Sequence, residues 1–145
     1  MLLIKDDFPT GTIVNKISTP IAEMPYESAG FTSNYNGSAI YHEISRFPTI
    51  ISAENEFEGA KKRASVKTEF LGPWETPPEL SNISSIFQKY YVTCGKVGKK
   101  YQCRMIGQYD EYYVFFSAYI SDTGVTFDTL NDLLKKIDAR MEQCL

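Results

Sequence analysis

Three cysteines and one histidine are the residues of this chain with the widest choice of chemistry. They are Cys94, Cys103, Cys144 and His42. No two cysteines have the C-x-x-C spacing of a redox motif, and a zinc site needs more clustered Cys and His ligands than these. Three interpretations of Cys94 and Cys103 stay open: small apolar core residues in a reducing compartment, a disulfide, or a catalytic thiol.

Charged residues are numerous but form no motif for catalysis. Lys61, Lys62 and Arg63 end a helical pattern, where they complement the negative end of the helix dipole; an anion site is the alternative. No glycine-rich loop of the phosphate-binding type follows a strand. We therefore predict no catalytic residue, no metal and no cofactor.

The bulk composition favours an ordinary globular domain. The chain has 145 residues, of which 43% are hydrophobic and 23% charged, and we interpret residues 1–145 as one domain. A net charge of −3 and a pI near 5.2 argue against nucleic-acid binding. No apolar run reaches the ~18–20 residues of a membrane span. Residues 1–8 do not resemble a signal peptide, which leaves the compartment open.

A three-stranded antiparallel meander is predicted for residues 87–120. A two-residue loop at 98–99, with glycine first, suits a type II′ turn and sets Cys94 opposite Cys103. A second two-residue loop at 110–111 then gives the register of the last strand. The two registers are derived separately, and both assign the apolar residues to a common face.

The two faces of this meander differ in composition, because side chains alternate along a strand and paired residues share a face. One face has no charged residue: Tyr90, Val92, Cys94, Cys103, Met105, Val114, Phe116, Ala118 and Ile120. The other face is mixed and rich in aromatics: Tyr91, Thr93, Gln102, Arg104, Ile106, Gln108, Tyr113, Phe115, Ser117 and Tyr119.

Further elements precede the meander. We predict a strand over 12–17 and a hairpin over 30–47, whose Asn-Gly turn at 36–37 is typical of type I′. A helix with Ser52 as N-cap then buries a narrow stripe of small residues and Phe57. Residues 66–71 alternate as a strand. The proline-rich segment 72–78 is predicted to be an irregular loop holding Trp74, the only tryptophan.

The C-terminal helix has the clearest signal in the chain. Thr126 is a suitable N-cap, and Asp128 lies near the positive end of the helix dipole. Apolar residues then repeat at helical spacing: Leu130, Leu133, Leu134, Ile137 and Met141. We expect this stripe to pack on the uncharged face of the meander.

These elements predict an α+β fold. An antiparallel sheet of about six to seven strands, in the order three strands, helix, four strands, helix, packs against a long C-terminal helix and a shorter middle helix. This order resembles the PsbP-like fold of photosystem accessory proteins, a Ran-binding nuclear protein and several bacterial envelope proteins. The segment 7–11, Asp-Phe-Pro-Thr-Gly, is similar to the opening of some bacterial envelope lipoproteins and extracellular sensor domains. The resemblance implies partner binding rather than catalysis.

We interpret the chain as a non-catalytic binding or sensor-type domain for a small ligand or an unknown protein partner. The predicted contact surface combines the aromatic face with the Trp74 loop: Trp74, Tyr91, Arg104, Tyr113, Phe115 and Tyr119. The alternatives are a small thiol-dependent enzyme using Cys94 or Cys103, a homodimer through the aromatic face, or simple cover of that face by the chain's own elements. The expected location is the cell envelope, with the cytoplasm as the alternative.

Overall fold

In the part of the chain that the structure describes, six antiparallel strands form a sheet that packs with two α-helices, which confirms the predicted α+β class. The computed structural model describes residues 2–17, 27–64, 73–81 and 89–143. Within these ranges the elements are β1 (Ile13–Ile17), β2 (Glu27–Tyr35), β3 (Ser38–Arg46), α1 (Ile50–Ala64), β4 (Lys89–Val97), β5 (Lys100–Tyr109), β6 (Tyr112–Ile120) and α2 (Phe127–Glu142). The strands form one sheet in the order β1-β2-β3-β6-β5-β4. The strand predicted for 66–71 lies outside the described residues.

Three two-residue turns set the register of the sheet, and each is explained by a local backbone preference. Asn36 and Gly37 both have positive φ, as a type I′ turn requires, and Gly98 has φ of 60°. At the third turn Asp110 takes φ of 48°, which aspartate tolerates better than most residues. The predicted pairings of the meander are confirmed, including Cys94 opposite Cys103.

The main core lies between α2 and the uncharged face of the sheet, as the sequence predicts. Thr126 caps α2 by accepting a hydrogen bond from the Thr129 backbone N–H at 3.2 Å. The apolar stripe of α2 is at most 1% exposed. It packs in one cluster with Met105, Val114 and Phe116 of the meander. This face of the sheet, called the core face below, is therefore closed.

Helix α1 packs on the opposite face, called the second face below. It contacts β4, β5 and β6 through four buried residues, Ala53, Phe57, Ala60 and Ala64. The predicted N-cap at Ser52 is wrong, because the helix already begins at Ile50. The Thr49 hydroxyl accepts the Ser52 backbone N–H at 3.1 Å and so provides the earlier cap.

The Trp74 segment is more ordered than its prolines predict. Glu75 and Cys94 exchange two backbone hydrogen bonds, of 2.9 and 2.8 Å, so the segment extends the sheet beyond β4 for one residue. The Thr76 hydroxyl donates to the Val92 carbonyl at 2.7 Å. A short 3-10 turn, Pro78–Leu80, follows. The prolines are accommodated because the segment lies at a sheet edge, where fewer backbone N–H donors are needed.

Candidate functional site

A groove opens on the second face where the C-terminal end of α1 meets β5 and β6. Its volume is about 160 Å³. Seven residues line it: Ala60, Arg63, Ala64, Arg104, Ile106, Tyr113 and Phe115. We call it the α1 groove. Three of the six residues predicted for the contact surface, Arg104, Tyr113 and Phe115, meet here.

The floor of the α1 groove belongs to a small apolar cluster under α1. Ile106 and Tyr113 pack in it with Phe57, Ala60 and Ala64. Tyr113 is only 8% exposed but still lines the groove, so its role as a contact residue stays a prediction. The small residues of α1 bring the helix close enough to cover that ring. Phe115 and Tyr91 pack against the cluster but stay half-buried.

Two arginines provide the charge of the α1 groove. Arg63 forms an ion pair with Glu56 on its own helix. Arg104 donates from Nε to the Gln102 side-chain oxygen at 3.1 Å and, within the described ranges, pairs with no carboxylate. Burial lowers the pKa of Arg104 from its ordinary value, which means that its charge is incompletely solvated.

Trp74 forms the rim of the α1 groove by stacking on Arg104. The guanidinium carbon lies 4.5 Å from the centroid of the indole ring, a distance typical of cation–π contact. The indole also lies directly over Gly95, where a Cβ atom would come within 2.8 Å of Trp74 Cγ. Glycine at 95 is therefore what allows the ring to rest on the sheet beside Arg104.

Two buried polar atoms beside Arg104 lack partners. The Trp74 indole nitrogen and the Thr93 hydroxyl are both buried without a hydrogen-bond partner among the described residues. Thr93 is the residue paired with Arg104 across β4 and β5, and it is 0% exposed. Trp74 and Thr93 are thus neighbours of Arg104 with spare hydrogen-bond donors, but of the three only Arg104 lines the groove.

The remaining predicted contact residues are not gathered at the groove. The Lys61 ammonium lies 5.5 Å from the ring of Tyr91, and the Lys100 ammonium lies 5.1 Å from the ring of Tyr119. Tyr91 joins the cluster under α1, whereas Tyr119 pairs with Gln102. Each of these rings is thus covered by a lysine of the chain.

Sequence reasoning did not predict the contribution of Arg63 to the α1 groove or the polar cluster next to it. Arg63 was expected to complement the helix dipole, with an anion site only as the alternative.

On β3, Tyr41 lies against Phe115 with ring centroids 5.9 Å apart. Burial and a hydrogen bond to Glu43 raise the pKa of Tyr41. The alternation of β3 was the available signal, because it gives Tyr41 and Glu43 one face.

Three of the four residues with the widest choice of chemistry lie on the core face, and the fourth, Cys144, lies outside the described residues. Cys94 and Cys103 form a disulfide, and each is 1% exposed. His42 is 0% exposed, and burial lowers its pKa to about 3. No group of three or more His, Cys, Asp or Glu residues within the described ranges could hold a metal ion. With the disulfide formed, neither cysteine can act as a nucleophile.

Comparisons with known proteins give a likeness in fold. No protein-family model matches the chain, and no curated protein sequence matches it. Among solved structures, the chain is similar to the extracellular domain of PknH from Mycobacterium tuberculosis, with a TM-score of 0.55 and 12% identity. The match covers 91% of this chain and 82% of that one. At this identity the likeness concerns the fold alone. It agrees with the predicted resemblance to extracellular sensor domains and gives no specific support to the PsbP-like fold.

Neither α1 nor α2 is long and apolar enough to cross a bilayer.

Proposed function

We propose that this chain is a non-catalytic binding or sensor-type domain whose ligand site is the α1 groove, with Trp74 as its rim. One observation carries the proposal. Arg104 lines the groove together with Phe115 and stacks its guanidinium on Trp74, with no carboxylate partner in the described part of the chain. An exposed cation with solvent around it would need no such surroundings, whereas a ligand site commonly combines apolar walls with a few polar groups.

Catalysis by the chain's own thiols or imidazole has little support. The two cysteines facing each other are joined, and His42 is enclosed by aromatic rings of the core, Phe31 and Phe116. A general base must reach a substrate proton, and this imidazole cannot. Binding without chemistry is the simpler role for such a surface.

The same proposal includes a location outside the cytoplasm, at a cell envelope. Disulfides persist in oxidising compartments, and Cys94–Cys103 is buried within the sheet. The similar fold of the PknH domain, whose name describes it as extracellular, points the same way. The proposed ligand of the α1 groove is a small molecule or a single side chain presented by another protein.

A fragment screen on the isotope-labelled protein tests the binding role. Amide and indole chemical shifts are followed by NMR while small neutral, anionic and cationic aromatic fragments are added. We expect shifts to cluster at Phe115, Ile106 and the Trp74 indole. Phe115→Ala should weaken binding, whereas Ile13→Ala, a control at a position 65% exposed on β1, should not.

Shifts that cluster elsewhere, or no shifts at all, would contradict the α1 groove as the ligand site. Light scattering on the same samples tests the predicted homodimer. A stable dimer whose formation is abolished by Phe115→Ala would assign this surface to self-association instead.

A further inference from the structure

The size of the α1 groove limits what can enter it. Its volume of about 160 Å³ corresponds to roughly five water molecules at ~30 Å³ each. Drug-sized ligands occupy pockets of about 300–1,000 Å³. The part of a ligand that lies inside the groove is therefore one compact group, smaller than a nucleotide or a disaccharide.

The charge of the lining selects an anion. Arg63 and Arg104 both line the groove, and among the described lining residues there is no acidic one. Because Arg63 is already paired with Glu56, Arg104 provides the uncompensated charge. A guanidinium has five N–H donors in a planar fork. Gln102 takes the Nε donor of Arg104, and the described residues provide no carboxylate for the others. A planar carboxylate matches that fork in bidentate geometry.

The unpartnered donors beside Arg104 are neighbours of the groove but do not belong to its lining. The Thr93 hydroxyl is fully buried, and the Trp74 indole N–H is buried beside the stacked guanidinium. A buried donor without an acceptor costs free energy, so such groups in folded proteins usually have a partner. A ligand oxygen would reach these two donors only after the Trp74 ring moves, so Arg104 is the group that selects the ligand.

Apart from Tyr113, the rest of the described lining is apolar, which favours a ligand with an apolar body. It consists of Ala60, Ala64, Ile106 and the ring of Phe115. A phosphate, with charge on every face, would leave oxygens against these walls, where burying an unpaired charge is costly. A carboxylate attached to a compact apolar group fits both parts.

We infer that the α1 groove binds small monocarboxylic acids with an aromatic or branched apolar body. The carboxylate lies at Arg104 and the Trp74 rim, and the apolar body lies against Phe115 and Ile106. This inference rests on the binding role proposed above and adds the chemical class of the ligand.

A charge series on the full chain tests the ligand class. Phenylacetate, phenylacetamide and phenethylamine are titrated while the Trp74 indole and groove amide resonances are followed. We expect phenylacetate to bind at least tenfold more tightly than either analogue. Phenyl phosphate is the fourth probe, and we expect it to bind more weakly than phenylacetate.

Variants locate the carboxylate. Arg104→Gln should reduce phenylacetate affinity at least tenfold, and Arg104→Lys should recover only part of it, because lysine lacks the planar fork. Lys62→Gln is the matched control, since it removes a neighbouring positive charge of α1 outside the groove. Arg63→Gln gives a second test of the same kind should Arg104→Gln disturb the fold.

The outcomes separate this inference from the proposed function. Equal binding of phenylacetamide and phenylacetate in the groove would show that the groove does not select a carboxylate. The proposed binding role would remain intact. Tighter binding of phenyl phosphate than of phenylacetate would indicate a phosphate monoester as the ligand class. That result would also overturn the inference. Absence of groove shifts with every probe would contradict both proposals.

Discussion

The two faces of the sheet are built from neighbouring residues of the same strands, yet only one of them is closed. Phe116 points to the core face and is 0% exposed, whereas Phe115 points to the second face and stays half-buried. Helix α2 covers its face with large branched side chains, while α1 contacts its face mainly through alanines and one phenylalanine. Small residues bring a helix close over a short stretch, and the α1 groove remains where that contact ends.

The two faces also differ in whether their polar or reactive groups are already enclosed and joined. On the core face the cysteines are joined and the imidazole is enclosed by rings. On the second face Arg104, Thr93 and the Trp74 indole retain spare donors. A closed face leaves no access for a ligand, whereas a face covered in part provides walls and access together.

The largest expected difference between the faces concerns the two neighbouring phenylalanines. Phe116→Ala should lower the free energy of unfolding by about 3–5 kcal/mol, because it leaves a cavity in a closed core. Phe115→Ala should cost only about 1 kcal/mol, since its ring already contacts solvent. Chemical denaturation monitored by circular dichroism measures both. Equal losses would show that the second face is as tightly packed as the first.

The disulfide of the core face should contribute less to the free energy of unfolding than the Phe116 ring does. The bond closes a loop with a sequence separation of 9, for which chain entropy predicts about 2–3 kcal/mol. Reductant should therefore lower the denaturation midpoint of the protein. The Cys94→Ala/Cys103→Ala double variant serves as control and should not respond to reductant. A midpoint of the unsubstituted protein that is insensitive to reductant would refute a stabilising role.

His42 should make the core face sensitive to acid. Its pKa is lowered from 6.5 to about 3 by burial, so below pH 6.5 the unfolded chain binds a proton that the folded protein does not. The stability contributed by the neutral imidazole is complete above pH 6.5 and decreases towards pH 3. At pH 5 the loss should be on the order of 2 kcal/mol.

The control for this prediction is His42→Leu, measured by denaturation between pH 7 and 4. The variant should lose the part of the pH dependence that begins near 6.5. An unchanged pH profile would mean that His42 becomes protonated in the folded state.

The smallest loss of stability is expected at Gly95, under Trp74 at the rim of the α1 groove. Gly95→Ala places a Cβ atom 2.8 Å from Trp74 Cγ and 3.0 Å from the Pro73 carbonyl oxygen. The indole must move, at a cost of about 1 kcal/mol, and its fluorescence should change. Gly59→Ala, where the added atom meets only the flexible end of Arg63, should leave the emission unaltered. Unaltered emission of Gly95→Ala would contradict the stacking of Trp74 over this glycine.

Much of the fold could be predicted because its signals are local. The meander register follows from strand alternation and the lengths of two turns, and Met105 lies opposite Phe116 as expected. The α2 stripe follows from helical spacing. The start of α1 could not be predicted as well, since Thr49 and Ser52 both carry a hydroxyl that can cap a helix.

Less of the candidate site could be predicted. Alternation alone gave Arg104, Tyr113 and Phe115 a common face, and the structure brings these three together in the α1 groove. Three features depend on how separate segments of the chain approach one another. They are the burial of Tyr113, the contribution of Arg63 to the groove and the packing of Trp74 over Gly95. No periodic pattern in a sequence contains those distances.

The amino-acid sequence by itself determined which residues share a face, because side-chain direction repeats every second residue in a strand and every third or fourth in a helix. It also determined that one face would be uncharged and matched by the apolar stripe of a long amphipathic helix. Only the tertiary structure decided how far α1 covers the other face, and that distance leaves Arg104 beside a groove. The physical reason is that face composition is a local property, whereas a cavity is the space left between segments far apart in the chain.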